Sequence, residues 1–150
     1  MDVRGYEFKT NEGSLDYEFC SEGPKGKIKK VVRFTPQNAN GTTYFNLGFG
    51  DWDKVENQMD DQAVSNNHDK NQVLATVAQI VLDFTISFPD LWIYAKGSTS
   101  SRTRLYQMAI VANWDKIDPL LFVRGYINNI WEPFQKKINY EAFMVLRKKL

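Results

Sequence analysis

"LDYEFCSEGPKGKIKKVVRFTP", residues 15–36, decides the fold class. Two runs rich in β-branched and aromatic residues flank a Pro-Lys-Gly turn, and this combination predicts a β-hairpin. Side chains in the second run alternate between two faces of the strand. The face predicted to be mostly core comprises Ile28, Lys30, Val32 and Phe34. The face predicted to be mostly solvent-exposed comprises Lys27, Lys29, Val31 and Arg33.

The hairpin continues into a meander. "NANG" at residues 38–41 is typical of another turn, and "TTYFNLGFGDW" at 42–52 predicts a third strand. A three-stranded antiparallel sheet of this kind needs a cover on its apolar face. The polar and acidic residues 51–68 are predicted to form a loop.

The strongest periodic signal lies in "SNNHDKNQVLATVAQIVLDFTISFP", residues 65–89. Apolar side chains recur there at helical spacing. They are Val73, Val77, Ile80, Val81, Phe84 and Phe88. Ser65, Asn66 or Asn67 is predicted to cap the start of this helix, and Pro89 lies just past its end.

Later segments alternate between strand and helix. "LWIYAK" at 91–96 and "LLFVRGYI" at 120–127 predict strands, and "SSRTRLYQMAIVANW" at 100–114 predicts a helix between them. The apolar face of that helix comprises Leu105, Met108, Ala109 and Ala112. "YEAFMVLRKK" at 140–149 suits a helix or a strand, and the alternation of Phe143 with Val145 favours a strand. The order predicts one α+β domain over residues 1–150, in which an antiparallel β-meander is followed by α-β-α-β in a mixed sheet with helices packed on it.

Composition excludes several classes of protein. The net charge of +1 gives no whole-protein field that would attract nucleic acid or membrane, although residues 90–150 carry ten Lys/Arg against five Asp/Glu. The single Cys20 excludes an internal disulfide and a cysteine-based metal cluster, and one Cys with one His argues against a structural zinc site. The N-terminal "MDVRGYEFKT" is not a signal peptide, and no apolar run reaches the roughly 18–20 residues that span a bilayer. The expected location is the cytoplasm, with no metal and no membrane partner.

The best candidate site is the segment "KGSTSSRTRLYQ", residues 96–107, which joins a predicted strand to a helix. Free backbone N–H groups at a helix start, hydroxyl groups and a guanidinium can together bind an anion. The candidate residues are Gly97, Ser98, Thr99, Ser100, Ser101 and Arg102. Helix capping by the hydroxyls, with the arginines paired to the acidic loop, is the other interpretation. The spacing is neither a P-loop nor a dinucleotide fingerprint.

Four weaker candidates each have a structural alternative. Asp51 and Asp53 could hold Mg²⁺ or act as acid and base, or they could simply form a turn. His68 is predicted to be a surface residue near a helix cap. The basic stripe could track nucleic acid or could protect an edge strand; it comprises Lys25, Lys27, Lys29 and Arg33. The four tryptophans are predicted in the core and at its rim; they are Trp52, Trp92, Trp114 and Trp131.

Several phrases resemble an uncharacterised family of small conserved hypothetical proteins from Bacteroidota-type bacteria. They are "YEFCSEGPKGKIKKVVRF", "YFNLGFGDWD", "DDQAVSNN", "VLATVAQIVLDF", "GSTSSRTRLYQ", "WEPF" and "NYEAF". This likeness covers nearly the whole chain and implies no activity. A weaker likeness in element order is to the GNAT acyltransferases, and it implies acyl-coenzyme A as cofactor and Tyr106 as general acid. The segment "SNNHDKNQVLA", however, lacks the glycines with which those enzymes bind the pyrophosphate.

Three functions remain open on the sequence. The first is a binding or interaction protein, such as a member of a conflict or toxin–antitoxin-like module, with a protein partner and no cofactor. The second is a GNAT-like or degenerate acyltransferase. The third is binding of a nucleotide or of nucleic-acid phosphate through the segment at Gly97–Arg102.

Overall fold

The computed structural model describes residues 4–10, 13, 15–60 and 66–149. They form an α+β fold, as the sequence predicts. The strands are β1 Lys9–Thr10, β2 Asp16–Gly23, β3 Gly26–Ala39, β4 Thr42–Asp53, β5 Gln58–Asp60, β6 Ile93–Ala95, β7 Leu121–Ile127, β8 Ile130–Pro133 and β9 Ala142–Arg147. The helices are α1 Lys70–Ser87, α2 Ser100–Ala112 and α3 Trp114–Ile117.

The strands of the described residues form a single mixed sheet in the order β1-β2-β3-β4-β6-β9-β7-β8, with β5 paired to β4. The predicted meander is β2-β3-β4, and its second turn uses positive φ angles at Asn40 and Gly41. β4 and β6 run parallel, whereas the other strand pairs are antiparallel. β9 lies between β6 and β7, so it joins the meander side of the sheet to the later strands.

α1 covers the meander, as its periodicity predicts. Its apolar face is buried at Val73, Val77, Ile80 and Phe84. The ring of Phe84 stacks on Phe34 of β3 with 3.7 Å between ring centroids. Both faces of the helix contribute buried residues, which explains why this segment had the clearest apolar signal in the chain.

The predicted cap of α1 is wrong at Asn66 and Asn67, and Ser65 lies outside the described residues. The helix begins at Lys70 and its N-cap is Asp69. Asn67 instead binds the β2–β3 hairpin, where its amide donates to the Gly26 carbonyl at 2.9 Å and its oxygen accepts from the Lys25 N–H at 2.7 Å. Tertiary hydrogen bonds have therefore taken the side chain that local preference would place at the cap.

The predicted buried face of α2 is wrong except at Ala109. Leu105 and Met108 are half-buried and Ala112 is exposed. The buried residues are Arg102, Thr103, Tyr106, Gln107 and Ala109. Gln107 shows the physical reason, because its amide donates to the Ile138 carbonyl and its oxygen accepts from the Tyr140 N–H. Polar side chains with fixed hydrogen-bond partners can be buried at low cost, and apolar periodicity cannot detect them.

Two predictions about β3 also fail. Val31, predicted to face solvent, is 3% exposed. The strand is flanked by β2 and β4, so it is not an edge strand that lysines would protect. Part of the predicted acidic loop forms β5, which pairs with the end of β4. The predicted core face of β3 is correct at Lys30, Val32 and Phe34, and Ile28 is half-buried.

Candidate functional site

The segment at Gly97–Arg102 caps a helix in the structure. Thr99 is the N-cap of α2, and its hydroxyl accepts a 3.1 Å hydrogen bond from the Arg102 N–H. The Gly97 N–H donates to the Thr103 hydroxyl at 3.0 Å. A Cβ at position 97 would lie 2.4 Å from the Thr103 nitrogen, so this close approach requires glycine. Ser98, Ser100 and Ser101 are exposed. Their binding of an anion stays a prediction.

Arg102 does not extend into solvent beside those hydroxyls. Its residue is 8% exposed, and its guanidinium carbon lies 5.4 Å from the centre of the Phe49 ring. The neighbouring Lys30 is 6% exposed, and its ammonium forms a 2.5 Å ion pair with Asp51. Two cations and a carboxylate therefore surround Phe49 below the protein surface.

Tyr106 lies in the interior, 7% exposed. It lines an apolar cavity of about 60 Å³ between the helices and the sheet, together with Leu47 of β4, Ala95 of β6 and Val77 of α1. The cavity lies beside the parallel strands β4 and β6, which pair over only three residues, Phe45–Leu47 with Ile93–Ala95. The strands cease to pair beyond that point, and α2 starts just past the end of β6.

The acidic and histidine candidates have structural roles. The Asp53 carboxylate accepts from the Val55 and Glu56 N–H groups at 2.9 and 3.1 Å, which confirms a turn. Asp51 faces Lys30 instead of a metal-ligand set. His68 is exposed two residues before α1, as predicted. Within the described ranges, no group of three or more His, Cys, Asp or Glu side chains is placed to hold a metal ion.

Three basic residues of β3 are paired with acidic residues of β2. Arg33 binds Asp16 through two nitrogens at 2.8 and 3.0 Å, and Lys29 lies 3.0 Å from Glu18. A third and looser pair joins Lys27 to Glu22 at 3.8 Å. We call these six side chains the ion-pair ladder. They lie on the face of the sheet opposite the helices, which we call the open face.

The same open face has a different character on the later strands. Strand alternation places Ile93, Val123 and Phe143 in the core. Their neighbours Tyr94, Arg124 and Met144 therefore point to the open face, in register with one another. The sequence contains this alternation, but only the strand order reveals that these residues lie side by side.

Aromatic rings on this part of the open face touch in a continuous series. The Trp131 ring lies 5.1 Å from Tyr126 and 6.2 Å from Tyr94, and Tyr94 lies 6.2 Å from Tyr44. The small Ala142 stands opposite Tyr126. Burial, followed by the neighbouring Tyr44 and Tyr126 hydroxyls, raises the pKa of Tyr94. The Tyr94 hydroxyl therefore carries no negative charge at neutral pH.

A positively charged side chain, that of Arg124, lies next to the rings on this face. The Arg124 guanidinium carbon lies 5.4 Å from the centre of the Trp92 ring, and its side chain is exposed. Phe122 is 52% exposed on the same strand. We use the name aromatic patch for Tyr44, Trp92, Tyr94, Phe122, Arg124, Tyr126 and Trp131. β6, β7 and β9 contain no Asp or Glu, so no carboxylate of these strands neutralises Arg124.

The fold and this surface define an α+β protein whose mixed sheet has its helices packed on one face. More narrowly, the chain belongs to a family of unknown function, DUF6934, whose model matches residues 2–148. The predicted membership of an uncharacterised family is thereby confirmed. No curated protein and no solved structure matches the chain. Among the described residues, no helix is long and apolar enough to cross a membrane.

Proposed function

We propose that this protein is a binding protein and that its partner docks on the aromatic patch. The observation that carries the proposal is the series of half-buried rings on the open face. α1 and α3 contribute Val77 and Ile117 to the cavity on the other face, and Phe84 stacks on the core side of β3. In the part of the chain that the structure describes, the helices thus leave the rings of the patch partly exposed.

The composition of the patch supports a binding role. Tyr, Trp and Arg are the residues that contribute most strongly to protein interfaces, because they present a large rigid area with a polar end. Clustered exposed apolar groups cost solubility, whereas single ones are ordinary. The patch has five half-buried rings, the exposed ring of Phe122 and the exposed Arg124 on one face of the sheet, and this grouping is better explained by a partner than by the fold alone.

Site-specific photo-crosslinking in the cells that make this protein tests the proposal. A benzophenone amino acid replaces Phe122, which is 52% exposed in the patch, or Ile86, which is 64% exposed on α1. We expect an adduct from position 122 that is absent from position 86 and that is reduced by Trp131→Ala. Equal adducts from both positions, or none at 122, would contradict the proposal.

A second candidate is a GNAT-like acyltransferase, or a degenerate descendant that binds an acyl ligand. It is favoured by the succession β2-β3-β4-α1-β6-α2-β7 within the longer element order, and by the apolar cavity that Tyr106 lines where β4 and β6 cease to pair. The buried Arg102 side chain over Phe49 counts against it, because it fills space beside the start of α2. Calorimetry with acetyl-coenzyme A at millimolar concentration would reject this candidate if no heat of binding appeared.

A further inference from the structure

We propose that the partner of the aromatic patch is single-stranded nucleic acid, whose bases stack on the rings and whose phosphates contact Arg124 and Lys96. This inference rests on the proposed function and names the chemical class of the partner. Net charge alone argues against nucleic acid, because the chain carries only +1. The local distribution of charge on the open face leads to the opposite expectation.

The rings provide a stacking surface. Tyr44, Tyr94 and Trp131 follow one another across five adjacent strands, from β4 to β8, with 6.2 Å between each successive pair of ring centres. The pairs meet at interplanar angles of 72° and 73°, so neighbouring rings are edge to face and do not close over each other. Aromatic side chains on a sheet stack on any base, because every base has a π face.

The charges around the rings select an anion. Arg124 of the patch and Lys96, the residue that follows β6, are exposed, and neither has a carboxylate oxygen within ion-pair distance among the described residues. Lys148 lies 5.3 Å from the centre of the Phe122 ring, and it is already paired with Asp118 at 3.8 Å. Single-stranded nucleic acid carries both of the groups that this surface can bind, which are flat bases and phosphates.

The same charges disfavour two other occupants. A second copy docking by this face through two-fold symmetry would place Arg124 near its own counterpart, and like charges at an interface are repulsive. A duplex hides the faces of its bases within the stack and would use only the phosphate contacts. The ion-pair ladder offers a duplex no further charge, because its three cations already face carboxylates.

The test is fluorescence anisotropy with labelled single strands of about 12 nucleotides, as DNA and as RNA, beside a duplex of equal length. We expect both single strands to bind, the duplex to bind at least roughly tenfold more weakly, and affinity to fall between about 50 and 200 mM salt. Trp131→Ala and Arg124→Gln should each weaken binding about tenfold. Trp52→Ala is the matched control, because Trp52 lies on the open face beside Lys29 of the ion-pair ladder. It should leave affinity unchanged, and circular dichroism of each variant verifies folding.

Three results would overturn the inference: no binding by either single strand, equal binding of the duplex, or equal loss in Trp131→Ala and Trp52→Ala. The crosslink from position 122 separates this failure from failure of the proposed function. An adduct that nuclease leaves unchanged, without oligonucleotide binding, identifies a partner other than nucleic acid and rejects the inference. An adduct that nuclease shortens supports the inference.

Discussion

The open face of the sheet has two halves. Both are built from paired strands, but they differ in whether their charged side chains form ion pairs. On β2 and β3, Asp16 pairs with Arg33 and Glu18 with Lys29 across neighbouring strands. On β6, β7 and β9 no acidic residue occurs, and Arg124 lies over an indole ring. One half satisfies its own charges, whereas the other leaves its cations and rings available to another molecule.

The difference shows why a run of lysines in a sequence is weak evidence for a binding site. The β3 lysines attract attention in the sequence, yet cross-strand partners neutralise them. Arg124 is a single cation in an apolar strand, and among the described residues no carboxylate lies within ion-pair distance of it. Whether a cation is available for binding depends on the residues of the neighbouring strand, and the topology of the sheet determines which strands are neighbours.

The largest expected effect is a loss of stability when the ion pair on the core face is broken. This loss is the reference for the stability effects of the ion-pair ladder. Asp51→Ala leaves the buried Lys30 without the carboxylate that lies 2.5 Å from its ammonium. We expect the free energy of unfolding to fall by about 3 kcal/mol, measured by urea denaturation. The double variant Lys30→Met/Asp51→Leu, which replaces the pair by apolar volume, should recover most of that loss. A loss below that of a ladder variant would show that burial does not set the strength of these pairs.

A charge reversal should separate the two halves in binding. Arg124→Glu places a carboxylate in the aromatic patch and should weaken single-strand affinity about 20-fold, because one phosphate contact becomes repulsive. Arg33→Glu makes the same reversal in the ion-pair ladder and should leave affinity within about twofold while lowering stability slightly. Anisotropy titrations at one salt concentration compare the two variants. Similar losses of affinity would mean that the halves do not differ as binding surfaces.

Alkaline pH should lower the stability of the core that lies beneath the aromatic patch. Burial, followed by the hydrogen bond to Glu132, raises the pKa of Tyr140 from 10.0 to about 12. The folded state therefore holds the proton where the unfolded state has lost it, so stability is fully present below pH 10 and falls as pH rises toward 12. Tyr140→Phe should cost about 1 kcal/mol at neutral pH and make the decline in melting temperature shallower. An unchanged slope would rule out Tyr140 as a source of that decline.

The smallest effect is expected in the ion-pair ladder. Asp16→Asn breaks an Arg33 pair whose side chains are 44% and 40% exposed, so the loss should be at most about 0.5–1 kcal/mol. The loss should shrink as salt screens the pair. Thermal melts at low and high salt measure it. A large salt-independent loss would mean that the ladder holds the sheet together, in contrast to the patch.

The sequence predicts those parts of the fold that depend on local pattern. The β2-β3-β4 meander, the apolar face of α1 and the strand at β9 are confirmed. The sequence does not predict the strands β1, β5 and β8 or the helix α3, which have four residues or fewer, and it predicts the three-residue β6 only as part of the longer apolar segment at 91–96. Short elements carry too few residues for a period to show.

The candidate site was less predictable, for two physical reasons. The buried side of α2 consists of polar residues such as Arg102 and Gln107, which hydropathy assigns to solvent. The aromatic patch draws Tyr44, Tyr94 and Trp131 from three separate segments, and no local pattern links them. The cap at Thr99 was predictable, because a hydroxyl before a helix serves a local N–H group.

The position of β9 has a consequence for how the chain folds. This strand pairs with β6, roughly 50 residues upstream, and with β7 on its other side. Until β9 pairs with its neighbours, the meander and the β7–β8 hairpin are not part of one sheet. The strand that lies between the two sides of the aromatic patch is then also missing. Closure of such long loops slows folding, so the last step should be slow and should create the binding surface at the same moment as the sheet.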